Sequence, residues 1–177
     1  MLRGRIVRFP SAEGLRPTPD RVRETLFNWL GQNLEGLRTL DLFAGTGALS
    51  LEAASRGAAL SVAIDRNPSL VRAIAATAAG FGLEHLETHA ADAYAYLGRE
   101  TRDFDVIFLD PPFDTRDWDR LLPLCAARLA AGGSIYAESP IELAPPPALA
   151  RFRHARAGRV HYHLFTRRES GPSVEQA

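Results

Sequence analysis

Asp110-Pro111-Pro112-Phe113 closes the apolar run Asp105-Val106-Ile107-Phe108-Leu109. Asp and Pro both favour turns, so a plain turn is one reading of the tetrapeptide. Two successive prolines, however, lock the backbone and leave the Pro111 carbonyl without an obvious helical or sheet partner. A fixed carboxylate and a fixed carbonyl can together accept both N–H bonds of an exocyclic amine on a nucleobase, with Phe113 stacked on the ring. Such an amine is a poor nucleophile, because its lone pair is delocalised into the ring. Accepting both hydrogens lets the nitrogen pyramidalise and aim its lone pair at an electrophilic methyl group. Attack is then an in-line displacement, helped by positioning and electrostatic preorganisation. Asp110 can take the proton, but the better-matched role is to orient the amine, with the proton lost late. The base must leave its stack to reach such a pocket.

A second group of residues suits the methyl donor. Asp41-Leu42-Phe43-Ala44-Gly45-Thr46-Gly47 ends one apolar run and opens a helix. Gly45 and Gly47 let the backbone approach a ligand, and a helix N-terminus offers free N–H groups. The G-x-G pair alone is weak, since dinucleotide-binding folds share it and Ser50 stands where they want a third small residue. Asp41 discriminates: a diphosphate would be repelled by it, whereas an amino-acid cofactor bearing an ammonium and a sulfonium, S-adenosylmethionine, would be held. Asp65 ends the next run and can grip both ribose hydroxyls of an adenosine. Asp92 ends the third and can accept from an adenine amino group. Each of the three acids is alternatively a helix N-cap; three at successive strand ends favour a shared cofactor. Arg66 and Ala93, next to two of these acids, complete the candidate set.

The elements that would carry these residues follow from the pattern. The spacing of Val22, Leu26, Phe27 and Leu30 predicts an amphipathic helix from about Thr18 to Gly31. Strands are expected at 39–43, 60–65, 86–91, 105–110 and 134–138, and helices at 48–57, from Asn67, after Asp92 and near 117–131. The strands are continuous rather than alternating, as in a parallel sheet buried on both faces. Strand and helix alternate five times, giving a doubly wound α/β domain. After the break at Ala144-Pro145-Pro146-Pro147, Phe152–Arg156 and Arg159–Thr166 flank Ala157-Gly158 as an antiparallel hairpin that closes the sheet. The expected organisation is a basic extension over 1–18, one domain over 19–169 and a mobile tail over 170–177.

Composition limits the setting. The 177 residues are 46% hydrophobic and 24% charged, as in a globular domain. No run is long enough for a membrane span or a secretory signal, and one cysteine excludes an intrachain disulfide, so a cytoplasmic site is expected. With no large apolar helix face apparent, a monomer is expected. All 21 basic residues are Arg and balance 21 acids. Residues 1–25 carry six Arg against three acids, and 151–169 carry six against one, leaving the middle acidic. Basic ends brought together would suit nucleic acid; a genome that encodes Arg wherever a solvated cation is wanted is the plainer alternative. Candidate RNA contacts are Arg3, Arg5, Arg16, Thr18, Arg21 and Arg23, although salt bridges with Asp20 or Glu24 explain the last two nearly as well. His161 and His163 share a strand face, but with no carboxylate or cysteine near them in sequence no metal site is expected. Cys125 and Trp29 are read as core residues, Trp29 against the sheet.

With these motifs in place, the chain resembles a class I methyltransferase of the amino-methylating branch. More closely, it resembles the RsmD family of bacterial small-subunit ribosomal RNA guanine-N2 methyltransferases. The resemblance rests on Gly14–Leu30 (GLRPTPDRVRETLFNWL), Asp41–Gly47, Asp110–Phe113 and Gly158-Arg159-Val160-His161-Tyr162, and covers about residues 3–168. It implies a Rossmann-like seven-stranded fold, S-adenosylmethionine bound by Asp41, Phe43, Gly45, Asp65, Asp92 and Ala93, and catalysis by Asp110–Phe113. It also implies that Arg16–Phe27 packs over the cofactor, and that the substrate is a guanine of 16S rRNA in the assembled small subunit. The family's longer basic N-terminal strand is shortened here to Leu2–Val7. Competing readings are an adenine-N6 or protein-glutamine amino methyltransferase, a silent RNA-binding module and, less well matched, an NAD-dependent oxidoreductase.

Overall fold

The computed structural model describes residues 20–168. The N-terminal extension with Arg3, Arg5, Arg16 and Thr18, and the tail over 170–177, lie outside the described residues. Helix α1 spans Asp20–Leu30 and turns its apolar stripe, Leu26 and Phe27, wholly inward. The chain then alternates through β1 (Arg38–Asp41), α2 (Ala48–Ser55), β2 (Leu60–Asp65), α3 (Pro68–Gly80), β3 (Leu86–Ala90), α4 (Ala93–Leu97), β4 (Phe104–Leu109), α5 (Trp118–Ala126) and β5 (Leu129–Ser139). The hairpin β6 (Leu149–Ala157) and β7 (Val160–Arg167) completes one seven-stranded sheet in the order β3-β2-β1-β4-β5-β7-β6.

The first five strands pair in parallel and β7 is antiparallel to both its neighbours. The doubly wound sheet with a closing hairpin is therefore as the sequence predicts. Both faces are covered. Leu26, Phe27, Leu49 and Ala53 pack with Val106, Phe108, Tyr136, Tyr162 and Leu164 on one side. Tyr96, Leu97, Trp118, Leu121 and Cys125 pack with Leu40, Ile64, Ile107, Ile135 and Phe165 on the other. Trp29 is half-buried against the first of these clusters, and Cys125 lies fully inside the second. Leu26 and Phe27 of α1 and Val160, Tyr162 and Leu164 of β7 share the first cluster, so the helix and the hairpin strand border the same side of the sheet.

Three boundaries differ from expectation by three residues or more. The helix predicted to run to 131 stops at Ala126, where Arg128 N–H bonds back to the Cys125 carbonyl. Leu-Ala-Ala has good helix propensity, but Leu129 is fully buried in register with Phe104, and tertiary burial overrides that preference. Gly132, at φ 71°, takes up the register shift that lets β5 begin five residues early. The hairpin also starts earlier, at Leu149, because that side chain is buried as well.

Candidate active site

All five parallel strands point their C-terminal ends at one cleft of about 1160 Å³. Small-molecule sites usually occupy roughly 300–1,000 Å³, so this cleft has room for a cofactor and a base together. Its floor includes Asp41 through Thr46, Asp65, Arg66, Ala93, Asp110 through Phe113 and Glu138, with Arg21 of α1 and Ala157, Gly158 and Tyr162 of the hairpin around it. The catalytic candidates and most of the cofactor candidates therefore share one space.

Asp41 leaves β1 just before the turn into α2. Its carboxyl is 2% exposed, and Oδ2 accepts from the Ser50 hydroxyl at 3.0 Å. Oδ1 is buried with no hydrogen-bond partner among the described residues. Burial lifts its pKa from 3.8 to about 7, against the lowering effect of Ser50, and the charges of Asp110 and Asp65 raise it further. An orphaned acid in that state fits a cationic ligand group. Gly47, the residue before α2, has φ 80°, and a Cβ there would lie 2.7 Å from the Ile74 side chain. The turn thus closes only on glycine. Gly47 itself does not line the cleft; it shapes the turn that does.

Asp65 is used twice by the loop it faces: Oδ2 accepts the Gly45 N–H at 2.9 Å, and Oδ1 that of Asn67 at 2.8 Å. It is not the cap of α3, a role taken by the Asn67 side chain on Ser69 N–H. Asp92 is different. Its Oδ1 caps α4 through Tyr94 and Ala95, and its Oδ2 pairs with the exposed Arg66 at 3.1 Å. The N-cap alternative is thus realised for Asp92 and not for Asp41 or Asp65. Ala91, Ala93 and Tyr94 line the cleft beside it.

Asp110 is half-buried at the end of β4, Pro111 is buried, and Phe113 stands 50% exposed on the loop. Thr115 N–H closes a turn on the Pro112 carbonyl at 2.9 Å. Among the described residues, nothing donates to the Pro111 carbonyl. The tetrapeptide is thus a turn and also keeps the acceptor that an amine would need.

Glu138 was not singled out in the sequence. It is the penultimate residue of β5, is 8% exposed, and its Oε1 accepts from the buried Tyr136 hydroxyl at 2.8 Å. Burial and the neighbouring Asp110 push its pKa from 4.5 to about 8, while Tyr136 pulls the other way. A lone Glu at the edge of an apolar run carries no signal until β4 and β7 are placed on either side of it. Exposed Arg153, Arg156 and Arg159 on the hairpin were likewise absent from the candidate RNA contacts. Arg21 lines the cleft, and Arg23 lies half-buried on the same helix.

His161 and His163 do share a face, and His154 of β6 joins them in a stack. The ligating atoms of the three imidazoles lie within 4.8 Å of one another. His163 is already committed: Nε2 accepts from Leu143 N–H at 3.0 Å and Nδ1 faces the Ala137 carbonyl at 3.3 Å.

Sheet order, a glycine turn after β1 and acids at successive strand ends define the Rossmann-like methyltransferase class. The same fold occurs in an RNA methyltransferase from Salinibacter ruber, solved with S-adenosyl-L-homocysteine, at TM-score 0.66 and 19% identity over 92% of this chain and all of that one. A family model described as Conserved hypothetical protein 95 matches residues 1–166, and the chain belongs to that family, the RsmD family. It is 36% identical to the Ribosomal RNA small subunit methyltransferase D of Escherichia coli K12 over 176 residues, 97% of this chain and 89% of that one. The solved Escherichia coli protein yhhF superposes with TM-score 0.81 at 35% identity, over 89% of this chain and 90% of that chain. Among the described residues, no helix is long and apolar enough to cross a membrane.

Proposed function

We propose that the protein methylates the exocyclic N2 of a guanine in 16S rRNA of the small ribosomal subunit, with S-adenosylmethionine as cofactor, acting as a monomer in the cytoplasm. The observation that carries this reading is the arrangement of Asp110 and the Pro111 carbonyl on the same cleft as Asp41 and Asp65. The similarity to ribosomal RNA small subunit methyltransferase D supports the substrate.

S-adenosylmethionine supplies an electrophilic methyl on a sulfonium, which leaves as the neutral thioether. Asp41 holds positive charge, its Oδ1 being without a hydrogen-bond partner among the described residues. Asp65, already anchored by Gly45 and Asn67, keeps lone pairs for ribose hydroxyls. Asp92 and Ala93 stand beside the adenine position. Asp110 and the Pro111 carbonyl accept the two amino hydrogens, so the nitrogen lone pair is released from the ring, and Phe113 packs on the flipped base. Asp110 keeps the departing proton within reach after transfer. Arg21 and Arg23 lie where the phosphates of an entering strand would pass.

Radiolabelled cofactor incubated with small subunits from a strain lacking the endogenous activity tests this directly. Label should appear as N2-methylguanine, and Asp110→Ala should lower kcat about 10²–10³-fold, as removal of a preorganised polar group does. Naked 16S rRNA, duplex DNA and a release-factor protein serve as competing substrates. Label in DNA or protein would keep the chemistry and overturn the substrate.

A further inference from the structure

We infer that Glu138 reads the Watson–Crick edge of the target base, engaging guanine O6 and N1–H while Asp110 and Pro111 hold the N2 amine. The inference deepens the reading above and rests on it.

Register places the two acids together. Leu109 pairs with Ala137 across the parallel β4–β5 ladder, so Asp110, the first residue past β4, and Glu138, the next residue on β5, stand side by side. Side chains at matching positions of neighbouring parallel strands point to the same face. Phe108 and Tyr136, two residues earlier, are indeed in one cluster. Both acids line the cleft. A base whose amine sits on Asp110 therefore has its next ring positions over Glu138. In guanine the edge runs from the N2 amine to N1–H to O6.

The protonation of Glu138 fits that edge. With Asp110 beside it and little water around it, the carboxyl stays protonated until about pH 8. Besides Asp110, the charged or titratable groups in the same cleft are Arg21 from α1, Asp41 from β1, Asp65 and Arg66 at the end of β2, Tyr94 from α4, Asp114, Arg116 and Asp117 from the loop after β4, and Tyr162, the partner of Glu138 on β7, with Tyr136 on its own strand. A protonated carboxyl presents one donor and one acceptor. Guanine offers the complement, an acceptor at O6 and a donor at N1. Adenine, with its N6 amine in the same slot, offers a bare acceptor at N1 and only a C–H at C2. Cytosine offers two acceptors. Guanine alone satisfies both oxygens, and a buried polar group left unmatched is costly. Tyr136 fixes the carboxyl by donating to Oε1, which leaves Oε2 as the donor.

The test compares guanine with 2-aminopurine, which keeps the N2 amine but has no O6 and carries an acceptor at N1. Small subunits are reconstituted with either base ligated into the position that the wild-type protein methylates. Wild type should favour guanine in kcat/KM by about 5- to 150-fold, the usual range for a bidentate base contact. Glu138→Ala should lower the guanine-to-2-aminopurine ratio by that factor, to the intrinsic ratio of the two amines, while S-adenosylmethionine affinity, measured by calorimetry, stays at the wild-type value. The intrinsic difference between the two amines cancels, because both proteins meet the same pair of bases. Glu138→Gln keeps one donor and one acceptor, so it should restore the preference for guanine. It should also lose the fall in guanine methylation that wild type shows above about pH 8. If the Ala variant does not fold, the Gln variant alone decides, since loss of guanine preference or an unchanged alkaline limb overturns the inference. An equal ratio in wild type and Glu138→Ala overturns it too, with guanine methylation itself intact. Absence of N2-methylguanine with wild type is a different result, and sinks the proposed function first.

Discussion

Asp41 carries a cost that the ligand-free protein bears alone. Its carboxyl sits in a dry site where the Ser50 hydroxyl and the Phe43 backbone only partly offset burial, and its folded pKa of about 7 lies above the usual 3.8 of an Asp. The sign is the reverse of a salt-bridged carboxylate. Stability from this group is full below pH 4 and is lost as the pH climbs to about 7, where the folded protein must ionise it. Three units correspond to a loss on the order of 4 kcal/mol. Asp41→Asn should therefore raise the Tm of the ligand-free protein at pH 8 and leave it nearly unchanged at pH 4. The same variant should weaken S-adenosylmethionine binding by roughly 10- to 150-fold, the range for a hydrogen bond to a charged group. Calorimetry and thermal melts at the two pH values check both halves; a destabilised variant at pH 8 would contradict the argument. In wild type, cofactor affinity should increase as the pH rises toward 7, because the ionised acid is the binding form.

At the scale of elements, β1, β2 and β4 were legible because each is a short run with an apolar centre and a polar stop, whereas β3, Leu-Glu-Thr-His-Ala, is a half-exposed edge strand without such a run. Position at a strand end then identified Asp41, Asp65 and Asp110 as neighbours without any coordinates. The start of β5 was not legible, since Leu129-Ala130-Ala131 reads as helix until Phe104 is alongside. Glu138 and His154 escaped for a related reason: each acquires meaning only from a partner strand distant in sequence. Asp92 shows the converse limit, because an acid before a helix has two valid readings and the cap is the one realised. The turn between β1 and α2 gives the clearest prediction for an element. Gly47→Ala must crowd Ile74 and hold φ near 80° with a Cβ, which should cost about 1–3 kcal/mol. The expected Tm drop is roughly 2–4 °C for each kcal/mol in a protein of this size. Cofactor binding should fall with it, since Gly45 and Thr46 hang on the same turn. A Gly47→Ala protein with unchanged melting and binding would mean that the turn relaxes freely.

For the whole molecule, a net charge of zero hides an arrangement with a direction. Helix α1 and the β6–β7 hairpin both border the cleft, and the hairpin carries Arg153, Arg156 and Arg159 outward. Arg153 lies over the exposed Phe152 ring at 4.3 Å, a pairing suited to stacking as well as to charge. A strand of rRNA with one base in the cleft would pass along this edge. Replacing Arg153 and Arg159 with Ala should raise KM for small subunits and leave kcat and cofactor affinity unchanged. The dependence of log KM on log salt should become shallower by about 0.7–0.9 for each phosphate that is no longer neutralised. An unaltered salt dependence would assign these arginines to protecting an edge strand from pairing with other chains.

The last strand made is an interior one: β7 lies between β5 and β6 and supplies Tyr162 to the cleft. During synthesis, β5 keeps an open edge until residues 160–167 have emerged, and the pocket lacks one wall for the same interval. A nonsense codon before residue 160 should therefore yield an aggregating fragment rather than a weak enzyme, because β5 would keep an unpaired edge along Ile135 and Tyr136, which β7 covers in the full chain.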